Sequence, residues 1–179
     1  MSAAHLLPDL LVPGLHLVFC GTAPSPTSAA RRAYYAGPGN RFWPILAETG
    51  LTPRPLAPED YALLVQFGIG LTDIVKSASG VDLDIPRDAY DPQGLALRIR
   101  AVRPRHLAFV GKNAAARFLG LPTARVAYGP AAAPADFPPI FVLPSTSGAA
   151  RGAWDARPWH ALASMVRCDH SRTSSNEGG

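Results

Sequence analysis

Three short apolar runs do most to limit how this chain can fold. They are Leu15–Gly21 (LHLVFCG), His106–Gly111 (HLAFVG) and Ile140–Ser145 (IFVLPS), each stopped by Gly or by Pro-Ser. Runs this short, and apolar at consecutive positions, read as strands buried on both faces of a parallel sheet. Between and after them lie segments of helical pattern: 40–50, 57–68, 91–102, 111–120 and 157–167. In the first, Asn40 reads as the N-cap and Gly50 as the stop, with Pro44 in the first turn. Strands alternating with helices argue an α/β fold, a mainly parallel sheet covered on both faces. The Pro/Ala-rich stretch 128–139 reads as a surface loop leading into the third run. At 179 residues the chain fits one domain with a real core. That domain is expected over 1–168, with the polar end 169–179 as a disordered tail.

Composition narrows the function classes. The formal charge is +4, and lysine occurs only at Lys76 and Lys112, so arginine carries the excess. Arginine pairs with phosphate through two bonds at once and stacks on bases, which points toward nucleic acid. GC-rich coding would produce the same bias. Cys20 and Cys168 lie far apart, and there is no Cys/His spacing for zinc or an iron–sulfur cluster. No metal and no organic cofactor is expected. The N-terminal segment lacks a basic start and is interrupted by Pro8, Asp9 and Pro13, so it does not read as a signal peptide. No stretch is long enough to span a membrane. A soluble, cytoplasmic protein is expected, nucleoid-associated if bacterial.

The chain leaves the first run through GTAPSPTSA, Gly21–Ala29, a loop of small residues without an acid, base or nucleophile. It has neither the P-loop nor the Gly-x-Gly-x-x-Gly pattern, so nucleotide cofactors are poor candidates. Two further segments stand out: YYAGPGNRFWPIL (Tyr34–Leu46) and LPSTSGAARG (Leu143–Gly152). The first and third segments both leave apolar strands, so they can meet at one rim of the sheet, where open α/β sheets place ligands. The second follows the first too closely to lie far away. Spacing to Leu46 puts Phe42 and Trp43 on the buried face of a helix.

These segments resemble the mismatch-specific uracil-DNA and thymine-DNA glycosylase family. GPGNRFW is the specific element; GTAPSPTSA and PSTSGAAR take the places of the family's two other loops, and GIGLTDIV and SGVD are also similar. The likeness runs from about Val12 to Trp159. It implies a three-layer α/β/α sandwich, and excision of uracil or another deaminated or mismatched base from double-stranded DNA by a monomer. A base cannot be cut from its sugar inside the stack and must be flipped into a pocket. The resemblance places Gly21, Thr22, Ala23, Pro24, Ser28 and Asn40 in that pocket, with Tyr35 at the stacking position. It places Ser145, Ser147, Gly148, Ala149, Ala150 and Arg151 against the DNA, where small residues approach the stack and Arg151 reaches a phosphate or the orphaned base.

The chain departs from the pattern at its chemistry. The family's water-positioning Asn falls at Ala23, and the Asn opening the last motif falls at Ser145. Cleavage of an N-glycosidic bond passes through an oxocarbenium-like sugar, which a carboxylate can stabilise while it positions water. Asp73, Asp82, Asp84, Asp60 and Glu48 compete for that role. Asp82 ranks first because it follows a Gly turn in a segment the family places near the pocket. Asp73 reads as a local backbone tie, and Asp60 and Glu48 as solvated helix residues. The five histidines show no pairing that would make one a base. With neither lysine in the motif loops, hydrolysis without an amine nucleophile is expected. A non-catalytic DNA-binding protein of the same fold and an unrelated small-molecule α/β enzyme are the alternatives.

Overall fold

A computed structural model describes residues 5–174. Its centre is a five-stranded sheet in the order β2-β1-β3-β5-β4. The strands are β1 (Leu17–Gly21), β2 (Ile69–Asp73), β3 (His106–Val110), β4 (Gly129–Ala131) and β5 (Ile140–Leu143). β2, β1, β3 and β5 run parallel, and β4 pairs antiparallel with β5 at one edge.

Alternation along each strand sends side chains to two separate cores. Leu17, Phe19, Ala108, Val110, Phe141 and Leu143 face one side, packed on α2 (Phe42–Glu48) and α5 (Arg157–Ser174). Val18, Cys20, Leu107, Phe109, Ile140 and Val142 face the other, packed on α3 (Pro92–Val102) and α4 (Lys112–Leu119). The result is the three-layer α/β/α arrangement that the strand–helix alternation calls for. Cys20 is fully buried, as an apolar strand end requires.

Several expectations are corrected. GIGLT was not read as a strand, yet Ile69–Asp73 is β2, paired residue for residue with β1. Its outer edge is closed by the N-terminal segment, where Leu10 and Leu71 exchange backbone hydrogen bonds of 2.9 and 3.0 Å, which blunts an otherwise open edge. Gly70 permits that approach, because a Cβ there would lie 2.5 Å from the Leu10 carbonyl oxygen. The expected loop 128–139 contains β4, held by its partner strand despite Pro130. The helix expected over 57–68 is a 3-10 helix, Pro58–Phe67.

Asn40 is not the N-cap by position. α2 begins at Phe42 after Arg41, and the Asn40 Oδ1 accepts from the Phe42 N–H at 3.0 Å. Pro44 does lie in the first turn. α5 runs six residues into the expected tail, with the Asp169 carboxylate 2.7 Å from Nε2 of the buried His106. A buried strand residue therefore anchors part of that tail as helix; 175–179 lie outside the described residues. No helix among the described residues is long and apolar enough to cross a membrane.

Candidate active site

The parallel strands β1, β3 and β5 end at the same rim, so the loops that follow Gly21, Val110 and Leu143 converge there. Gly21 is required by close approach. A Cβ at this position would sit 2.6 Å from Asp73 Oδ1 and 3.2 Å from the Tyr35 hydroxyl. Beyond Gly21 the backbone stays tied to the segment after β2. The carbonyls of Gly21, Thr22 and Pro24 accept from the N–H groups of Ile74, Val75 and Gly80 at 3.0, 2.9 and 3.1 Å. The loop then enters α1 (Pro26–Arg31), where Ser25 caps the helix by accepting from the Ser28 N–H.

The loop and the aromatic motif hold each other. The buried Ser28 Oγ accepts from the Ala36 N–H at 3.0 Å, and the Trp43 indole donates to the Tyr34 carbonyl at 3.0 Å. Between these ties Tyr35 adopts φ +54°, a left-handed conformation that costs a non-glycine residue about 1–2 kcal/mol. Its ring stacks on Phe42 with centroids 3.9 Å apart and lines the cleft. Phe42 and Trp43 are buried, as their spacing requires, and they fix the ring that faces the cleft.

The third loop closes against the second. The Thr146 carbonyl accepts from the Arg41 N–H at 2.9 Å. A Cβ on Gly148 would lie 2.7 Å from the Pro38 carbonyl oxygen, so only glycine lets the two loops meet. Ser147 caps the short 3-10 helix Gly148–Ala153, and the Arg151 guanidinium lies over Gly39.

Together these loops enclose a cleft of about 390 Å³. Gly21, Thr22, Ala23, Pro24 and Ser28 line it from the first loop, and Tyr35 and Asn40 from the second. Ser145, Ser147, Ala149 and Ala150 line it from the third, and Asp82 from the segment after β2. Gly148 and Arg151 instead line an adjoining groove of about 220 Å³ that shares Ser25 and Asn40 with the cleft.

Asp82 lines the cleft, and the side chains of Thr22 and Asn113 lie near enough to favour its charged form. Partial burial raises its pKa above the usual carboxylate value, and these two donors oppose the rise. Asp84 lines neither the cleft nor the groove; its N–H closes a turn onto the Val81 carbonyl at 2.9 Å. Asp60 and Glu48 are exposed, and Glu48 pairs with His160 at 3.1 Å.

Asp73 is more than a backbone tie. Its side chain is buried at the end of β2, and Oδ2 has no hydrogen-bond partner. Burial pushes its pKa up to about 7; Asp9 adds to the rise while Lys76 and Arg98 oppose it.

Two residues at the site escaped the sequence reading. Asn113, near the start of α4, lies beside Asp82 and donates to the Tyr90 hydroxyl at 2.9 Å. Lys112 borders the cleft directly after β3, with its ammonium 4.5 Å from the Tyr128 ring centroid. Both were discoverable. The β3 run ends in Gly111 at the same rim as β1 and β5, so the next residues had to lie beside the cleft. Among the described residues no cluster of His, Cys, Asp and Glu could hold a metal ion.

The sequence matches the family model of the uracil DNA glycosylase superfamily over residues 8–165. Among solved structures, the chain is similar to a solution NMR structure from Methanosarcina acetivorans, described as a candidate uracil DNA glycosylase. The two are 22% identical with a TM-score of 0.60, and the match covers 90% of this chain and 96% of that one. That likeness shows a shared fold.

Proposed function

The chain belongs to the uracil DNA glycosylase superfamily, and from that premise we propose that it hydrolytically excises uracil, or a related deaminated or mismatched base, from double-stranded DNA. The observation that carries this reading is the placement of Asp82. A carboxylate lines a cleft that is also lined by a fixed aromatic ring and by a loop of small residues. The reading is of one domain that includes all of α5, acting as a monomer, of the mismatch-specific type.

In this mechanism the flipped base lies against Tyr35, and N–H groups of the 22–25 loop donate to its carbonyls. The bond between the sugar C1′ and the base nitrogen breaks, and its electron pair leaves on the base. Donors set in place before the reaction favour that developing negative charge. The ionised Asp82 stabilises the cationic sugar and receives a proton from the water that attacks C1′. Thr22 and Asn113 orient the carboxylate. Ala23 has no polar side chain, so in this arrangement the water-holding role passes to Asp82, on the neighbouring segment that Gly80 ties to the Pro24 carbonyl. Arg151, beside the adjoining groove, contacts backbone phosphate.

The test is incubation with a uracil-containing duplex under enzyme excess, followed by alkali to reveal abasic sites. Strand breaks at the uracil are the expected result. Their absence, with DNA binding retained, would make this a non-catalytic member. Borohydride added during turnover should trap no covalent adduct. A trapped adduct that disappears in Lys112→Ala would replace water by an amine nucleophile.

A further inference from the structure

Leu83 is 97% exposed, the most exposed of the large apolar side chains among the described residues, and its neighbour Val81 is 56% exposed. A lone leucine in water is unremarkable on most surfaces. This one sits on a short turn that is fixed at several points. Gly80 N–H donates to the Pro24 carbonyl at 3.1 Å, and Asp84 N–H donates to the Val81 carbonyl at 2.9 Å. Ile85 is buried in the core formed with Ile74 and Val75. Val81 and Asp82 both line the cleft. The turn therefore sends the Asp82 carboxylate inward and holds the Leu83 side chain out at the rim.

The lip formed by the third loop carries nothing comparable. Ala149 and Ala150 offer one methyl each, and the remaining long side chain there is the charged Arg151. Drawing a base into a pocket leaves a gap in the duplex, and proteins that hold such gaps open insert an apolar wedge between base steps. A methyl group is too small to fill that gap; a leucine fills it and gains burial on doing so.

We infer that Leu83 is the wedge that enters the DNA stack when a base is drawn into the cleft, a part that Ala149 and Ala150 are too small to play. This rests on the reading of the cleft as a base pocket in duplex DNA. The occupant is base-paired DNA, because a single strand has no stack to hold open. A wedge on the same turn as Asp82 also couples insertion to placement of the catalytic carboxylate.

The test compares Leu83→Ala and Leu83→Phe with a control, Leu97→Ala, which removes a 68% exposed leucine from α3. Two readouts are needed. One is binding to a duplex with a central tetrahydrofuran abasic analogue, against the same strand unpaired. The other is single-turnover excision of uracil from matched duplex and single-stranded substrates. Leu83→Ala should lose about 10-fold or more on duplex in both readouts, the scale of burying one leucine side chain. It should stay within about 2-fold on single strands, where no stacked duplex has to be parted. Leu83→Phe should keep duplex function, and Leu97→Ala should match wild type. Wild-type behaviour of Leu83→Ala on duplex, or an equal loss on both substrates, would overturn the wedge. Binding to the abasic analogue needs no chemistry. A wild type that excises nothing would therefore sink the excision reading, while the Leu83 comparison still decides the wedge.

Discussion

Asp82 and Asp73 lie nine residues apart, and burial raises the pKa of both. Their surroundings are opposite. Asp82 opens onto the cleft, with the polar side chains of Thr22 and Asn113 favouring its charged form. Asp73 is sealed at the end of β2, with one oxygen unpartnered, above an ionic cluster in which Lys76 and Asp9 meet at 2.7 Å. Arg98 adds a 3.2 Å contact to Asp9 and donates to the Asp73 carbonyl at 2.9 Å. Asp73 shows the larger perturbation, yet of the two only Asp82 lines the cleft. A shifted pKa marks unusual surroundings; access and satisfied hydrogen bonds decide which carboxylate can do chemistry.

The comparison breaks most directly at Asp82. Asp82→Asn keeps shape and most hydrogen bonds, and single-turnover excision should fall about 10²–10⁴-fold, the usual contribution of a positioned acid–base group. Asp84→Asn should cost little. In the wild type, excision should rise with pH as Asp82 ionises, above the usual aspartate range, and that limb should vanish in Asp82→Asn. A full-rate Asp82→Asn enzyme would falsify the assignment.

The next effect concerns the Tyr35 ring that lines the cleft. Tyr35→Ala should weaken base capture by about 1–3 kcal/mol, the value of one base–aromatic stack. Tyr35→Phe should bind and cleave like wild type, since the hydroxyl is buried without a partner. Equal damage from Ala and Phe, in folded protein, would move the function from the ring to the hydroxyl.

At Asp73 the readout is stability. The folded protein holds this proton up to about pH 7, whereas the unfolded chain releases it near the ordinary value of 3.8. Between those values the folded state binds more protons, so stability should fall as pH rises through the window and level off above it. Asp73→Asn cannot ionise. It should flatten that limb and raise Tm at pH 8, by about 1 kcal/mol or more of stability. A wild-type curve without this limb would mean that Asp73 is already ionised in the folded state.

The smallest effect lies in the adjoining groove. Arg151→Ala should reduce the salt slope of duplex binding by about one counterion if it contacts phosphate. An unchanged slope with altered preference for the opposing base would place it on the orphaned base.

Much of the architecture was legible in the residues. The β1, β3 and β5 runs are apolar at successive positions because both faces are covered, and Gly or Pro-Ser stops them at one rim. GPGNRFW predicted its own packing, since Phe42 and Trp43 fall on the buried face of α2. β2 was harder to see. Ile69, Gly70, Leu71, Thr72 and Asp73 mix apolar, small and polar residues, and their burial comes from pairing with β1 and from the cover of Leu10. β4 is invisible to propensity for the same reason: Gly-Pro-Ala becomes a strand only because β5 offers it an edge.

The sequence by itself determined the layer order, the three loops that meet at the rim, and the absence of a polar side chain at Ala23. Those follow from local pattern, from where apolar runs stop and from which atoms a residue carries. Tertiary structure alone decided which carboxylate faces the cleft, that Asn113 from α4 would lie beside it, and that Leu83 would stand exposed next to it. Those depend on how segments far apart in the chain are brought together. Solvent access and hydrogen-bond partners are properties of that packing and are not encoded at any single position.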